Sequence, residues 1–147
     1  MSNNILFIFE GEKTEKQIVN NLSEFFISEN SIIQCAYCTN LYHLHKEISE
    51  DPDLDTFTLL KSKTQNSSAL SSFTRNDFAE IYMFFDYDGH DPIATDEKTQ
   101  ETLNFFNEET DKGKLFISYP MVEALKHFSK ETSYKELKVL CKENINT

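Results

Sequence analysis

Asp86 and Asp88 stand two residues apart at the end of an apolar run, Ile81-Tyr82-Met83-Phe84-Phe85, and a third aspartate, Asp91, follows closely. Apolar, aromatic-rich runs stopped by turn residues read as buried strands. Local alternation at the strand's end aims Asp86 and Asp88 the same way. Two carboxylates on one side repel each other unless a positive charge lies between them. A hard divalent cation, Mg2+ or Mn2+, takes oxygen ligands of that kind. The alternative is a polar loop in which Asp91-Pro92 opens a turn.

A further acid ends the first apolar run. Ile5-Leu6-Phe7-Ile8-Phe9 has the continuous hydrophobicity of a central strand and runs into Glu10-Gly11-Glu12-Lys13-Thr14-Glu15. Gly11 permits a tight turn, Thr14 is a good helix cap, and Ile18, Val19, Leu22, Phe25 and Phe26 follow with helical spacing. Glu10 is therefore expected at the carboxyl end of a strand, the edge where open parallel sheets bind ligands. If the strands ending in Glu10 and Asp86 are neighbours, all three carboxylates meet at one edge. Glu10 then serves as a metal ligand or as a general acid/base.

The remaining elements must carry that edge. Ser31 to Cys38 reads as a strand, and Asn40 caps a predicted helix from Leu41 to about Ser49. Phe57 to Leu60 fits either a short helix or an extended segment. Lys61 to Asp77 is rich in Ser, Thr and Asn and is expected to be a flexible internal loop. It gathers Lys61, Lys63 and Arg75 into a small basic island. Residues 94 to 109 read as a helix, Asp111-Lys112-Gly113 as a turn, and Lys114 to Ser118 as a fourth strand. Two helices are expected after it, the first opening at Tyr119-Pro120 and the second spanning about residues 133 to 143. The predicted order βαβαβαβα implies one α/β domain over residues 1–147, a Rossmann-like parallel four-stranded sheet with helices on both faces.

Composition narrows the function. A chain of 147 residues can bury one core, supplied here by thirteen Phe and six Tyr. The net charge of −11 argues against broad electrostatic capture of nucleic acid, but not against a small metal-assisted site acting on phosphates. The run Ile5–Phe9 is too short for a signal peptide or a membrane span, so a cytoplasmic home with reduced cysteines and no membrane partner is expected.

Three further side chains are candidates. Lys13 is positioned to touch a phosphate held beside Glu10, unless it is solvated surface. His90, inside Asp86-Tyr87-Asp88-Gly89-His90-Asp91, can donate to a phosphate or move a proton, unless it is a loop histidine in solvent. His127 falls one turn beyond Glu123 on the predicted helix, or else packs beside Phe128. Cys35 and Cys38 with His43 and His45 superficially suggest zinc. Their spacing is too short for a finger, and no helix start follows Cys35 to make a redox pair.

A strand ending in Glu-Gly, a helix, and a later strand ending in Asp-x-Asp resemble the Toprim domain. Glu10-Gly11-Glu12-Lys13-Thr14-Glu15 resembles more narrowly the opening of RloB-like proteins, a Toprim branch. Ser118-Tyr119-Pro120-Met121-Val122-Glu123 with His127-Phe128 is similar to that branch's Ser-Asn-Pro-x-x-Glu segment and its His-Phe. The resemblance implies Asp86 and Asp88 as metal ligands, Glu10 as acid/base or ligand, and Glu123 as a further acid at the site. It implies a Mg2+-dependent nuclease of a phage-defence system, with DNA or RNA as substrate. The sequence departs from the family's looser Asp-x-Asp-x-x-Gly form, because Gly89 follows Asp88 directly. Two other readings stand beside this one. One is a different phosphoryl-transfer fold, receiver-like or haloacid-dehalogenase-like, although the latter's aspartates belong after the first strand, which here ends in Glu. The other is a non-catalytic regulatory module that binds a partner protein or another copy of itself.

Overall fold

A computed structural model describes residues 4–11, 17, 19–21, 23–24, 31–87, 92 and 94–118. Five strands form one sheet: β1 (Asn4–Phe9), β2 (Ile33–Tyr37), β3 (Phe78–Asp86), β4 (Asn107–Glu108) and β5 (Gly113–Ser118). Their order is β2-β1-β3-β5-β4. The first four in that order run parallel, and the two-residue β4 is an antiparallel edge. The helices are α1 (Leu41–Glu50), α2 (Thr56–Ser62), α3 (Thr64–Leu70) and α4 (Asp96–Phe105). Residues 17, 19–21, 23 and 24 are also helical, with Val19 buried.

Alternation along the strands builds the core. Leu6 and Ile8 of β1 pair in register with Ile81 and Met83 of β3, and all four are fully buried. Leu44 and Ile48 of α1, Phe57 and Leu60 of α2, and Leu70 of α3 join the same cluster. Burying each such side chain contributes about 1.5–3 kcal/mol. The opposite face of the sheet is aromatic. Phe9 stacks on Phe84 at 5.4 Å and Phe84 on Phe116 at 5.5 Å, while Phe7 meets Phe84 edge-on at 5.3 Å.

The α/β class agrees with the pattern of the sequence, and two expectations need correction. Residues 94–109 were expected as one helix and the sheet as four-stranded. Instead α4 ends at Phe105, and Asn107 and Glu108 form the fifth strand. Phe106 is fully buried between the two, and its carbonyl accepts from Leu115 N at 2.9 Å. That bond turns the chain out of the helix and against β5. The second correction concerns Lys61 to Asp77, expected as a loop, which holds the end of α2, α3 and a 3-10 turn. Here the hydroxyls bond carbonyls three residues back, Ser62 to Leu59 at 2.6 Å and Ser67 to Thr64 at 2.8 Å, so they do not compete for the helix's own donors. The basic island is likewise engaged in structure. Lys61 donates to the carbonyls of Ser71 and Phe73, and Arg75 to those of Phe78, Thr110 and Asp111. Lys63 pairs with Glu47 at 3.2 Å.

The turn before β5 depends on Gly113, whose φ of 115° suits no other residue well. A Cβ there would lie 3.1 Å from Ile81 Cγ2 and 3.2 Å from Met83 Sδ in the core. Gly113→Ala is expected to destabilise the fold by about 1–3 kcal/mol, read as a lowered denaturation midpoint at unchanged slope.

Candidate metal-binding cleft at the sheet edge

The strand order fixes where a site can form. From β1 the chain crosses to β2 on one side, and later returns past β1 to β3 on the other. The winding reverses between β1 and β3, and ligands bind outside the carboxyl ends of strands at such a point. Glu10 follows β1 there, and Asp86 is the last residue of β3. Phe9 is in register with Phe84, so Glu10 leaves the sheet one residue short of the level of Asp86. On its other side Asp86 is opposite Ser118 of β5, and Tyr87 N donates to Ser118 O at 3.0 Å.

Both acids line one cleft of about 230 Å3. Glu10 is exposed and Asp86 half-buried. Thr39 and Asn40, which follow β2, form part of the wall, and Phe85 and Ile117 add apolar surface. Asn40 is the cap of α1, as expected, and its side chain accepts from His43 N at 2.9 Å. Tyr42 and Tyr87 also line the cleft. The Tyr42 hydroxyl lies 3.1 Å from Thr99 Oγ1, which ties the start of α1 to α4. Residue spacing did not single out Thr39, Tyr42 or Tyr87. The signal for the first two was the edge rule itself, because a helix following β2 must open at the same edge as Glu10 and Asp86.

The structure thus brings together two of the predicted site residues. Asp88, Lys13, His90 and Glu123, with His127, lie outside the described residues. Among the described residues no group of three His, Cys, Asp or Glu is placed to hold a metal ion. Glu10 and Asp86 fit a hard cation by donor type, as two carboxylates at one cleft, and a complete set of ligands needs more than these two.

The cysteine and histidine cluster does other work. Cys38 is buried, and burial pushes its thiol pKa up, while its Sγ donates to Asn40 O at 3.4 Å. A protonated, buried thiol is a poor nucleophile. His43 is exposed, whereas His45 is buried against Phe105 at 4.6 Å, with Thr102 Oγ1 3.4 Å from its Nδ1. Burial, reinforced by Lys98, pulls the His45 pKa below its ordinary value, and Glu101 works against them. The unfolded chain therefore binds more protons than the fold once pH drops below about 6.5, and stability falls with pH from there. We expect urea midpoints to decline more steeply from pH 7 to pH 5 in the wild type than in His45→Gln.

No helix among the described residues is long and apolar enough to cross a membrane. No family model, curated protein or solved structure matches the chain.

Proposed function

We propose that the chain is a Mg2+- or Mn2+-dependent nuclease of the Toprim type, hydrolysing phosphodiester bonds in a cytoplasmic phage-defence system. The observation that carries this reading is the meeting of Glu10 and Asp86 in one cleft at the point where the sheet's winding reverses. The Glu10-to-Glu15 opening and the Ser118-to-Glu123 segment, which resemble the RloB-like branch, support the choice of family.

Asp86 would hold the cation together with Asp88, and Glu10 and Glu123 are the further acids available to it. A cation there supplies Lewis-acid polarisation of a phosphoryl oxygen. Glu10, exposed in the same cleft as Asp86, would be suited to take the proton from an attacking water. Thr39 Oγ1 and the amide of Asn40 are polar groups of the same region that can orient the substrate. Lys13 and His90 are assigned to the scissile phosphate by their places in the sequence.

One observation favours a second reading, a non-catalytic module that binds a partner protein. The chain carries a net charge of −11, and its described basic side chains are already paired with acids or carbonyls. Calorimetry with Mg2+ and Mn2+, beside cleavage of a mixed pool of DNA and RNA, separates the two. Metal-dependent cleavage establishes the nuclease, binding without cleavage favours the module, and absence of metal binding removes the catalytic reading.

A further inference from the structure

Helices α1 to α4 take one face of the sheet. Leu44 of α1, Phe57 of α2, Leu70 of α3 and Leu103 of α4 pack into the cluster built on Leu6, Ile8 and Met83. Side chains that alternate with these along the strands point the other way. Phe7, Phe9, Tyr82, Phe84 and Phe116 do so, and their rings meet across β1, β3 and β5. Exposure along this aromatic face rises in one direction. Phe9 of β1 is 5% exposed, Phe84 of β3 is half-buried, and Phe116 of β5 is 46% exposed. Among the described residues the face is therefore closed over β1 and open over β5.

The handedness of the connections assigns each part its cover. Crossovers between parallel strands are right-handed. The connections from β2 to β3 and from β3 to β5 cross the sheet in the same direction and carry α1 to α4. The connection from β1 to β2 runs the opposite way, so it belongs on the aromatic face. Val19, helical and buried within that connection, lies outside the cluster of Leu6 and Ile8, in agreement with this. A segment between β1 and β2 covers Phe9 and leaves β3 and β5 to another part of the chain.

Residues 119–147 follow β5. α4 already holds the opposite face there, through Leu103 and Phe105. The paired stretch from Tyr82 and Lys114 to Asp86 and Ser118 is about 16 Å long. A helix over residues 120–130 has about the same length, about 16 Å, and Pro120 suits its first turn. Val122, Leu125 and Phe128 recur three apart, a spacing that puts them on one side of such a helix.

We infer that residues 120–130 form a helix lying on the aromatic face over β3 and β5, with Val122, Leu125 and Phe128 seated on Phe84 and Phe116. This cover stands apart from the chemistry of the cleft. The two meet at Ser118, which is opposite Asp86 and accepts from Tyr87 N.

Hydrogen–deuterium exchange of the full chain, read by peptide mass spectrometry, tests it. Amides of residues 121–130 should exchange about tenfold or more slower than unstructured chain, and keep that protection through a roughly hundredfold dilution. Phe116→Asp should speed their exchange about tenfold or more while β1 and β3 stay protected. Phe116→Leu, which keeps an apolar side chain, should leave the protection in place. A second readout decides even if Phe116→Asp unfolds the sheet. The thiol of Phe116→Cys, located by peptide mapping, should react with a maleimide about tenfold faster once Leu125→Asp is added. Exchange at the unstructured rate in the wild type overturns the inference, as does equal thiol reactivity with and without Leu125→Asp. Protection that is indifferent to Phe116→Asp in a folded sheet overturns it too. Protection lost on dilution assigns the face to a second copy, and release of residues 14–26 by Phe116→Asp assigns it to the first connection; either result overturns the inference.

Discussion

Glu10→Gln is expected to lower metal-dependent cleavage by about 10²–10⁴-fold, the range for loss of a positioned acid/base group. The substitution keeps the side chain's size and removes its charge. Glu10 is exposed at the end of β1, so thermal stability should move by about 0.5 kcal/mol or less. Asp86→Asn should lower turnover comparably and also weaken Mg2+ binding in calorimetry. The two variants together assign the role of Glu10. If Glu10 moves the proton, its Gln variant binds Mg2+ like the wild type while kcat collapses. If it is a ligand, metal affinity and kcat fall together, as in Asp86→Asn. Undiminished cleavage in both variants would sink the site outright, because no other pair of predicted acids is brought into one cleft among the described residues.

The sequence carried the meeting of two acids at one sheet edge further than it carried the fold's margins. Glu10 and Asp86 were readable because each closes a run of apolar residues buried in the sheet, and in a parallel sheet the ends of such runs share one edge. That β1 and β3 are neighbours was a guess in the sequence and is a register in the structure. Thr39 and Tyr42 escaped because nothing in their local pattern distinguishes a cleft wall from an ordinary strand-to-helix connection. α3 escaped for a different reason. Its sequence, Thr64-Gln65-Asn66-Ser67-Ser68-Ala69-Leu70, has weak helix propensity, and its stability comes from what it touches. The helical period through residues 94–109 likewise concealed the exit at Phe106, because a buried phenylalanine satisfies that period whether or not the helix continues.

What α3 touches is the edge of the sheet, and Asn66 is the contact that matters most. Asn66 is fully buried. Its Oδ1 accepts from Tyr37 N at 2.8 Å, and its Nδ2 donates to Tyr37 O at 2.9 Å and to Leu60 O at 3.1 Å. One side chain thus closes the outer edge of β2 as a further strand would, and joins it to the end of α2. Gln65 adds a second, more exposed donor to Tyr37 O at 2.9 Å. Asn66→Ala removes the side-chain partner of the Tyr37 amide, while the Leu60 carbonyl keeps Lys63 N at 3.1 Å and the Tyr37 carbonyl keeps Gln65 Nε2 at 2.9 Å. Loss of a buried hydrogen-bond partner costs about 1–3 kcal/mol, and a loss of about 2–3 kcal/mol is expected. Asn66→Asp should be at least as damaging, because both donors vanish and a buried carboxylate replaces the amide. Gln65→Ala, where water can take over, should cost about 1 kcal/mol or less. Equilibrium denaturation of the three variants measures these differences, and equal losses for Asn66→Ala and Gln65→Ala would show that the edge is not held by Asn66. The consequence reaches the cleft, because Thr39 and Asn40 follow directly on the strand that Asn66 pins. Partial loosening of β2 in a variant that still folds should therefore raise KM for a cleaved strand before it lowers kcat.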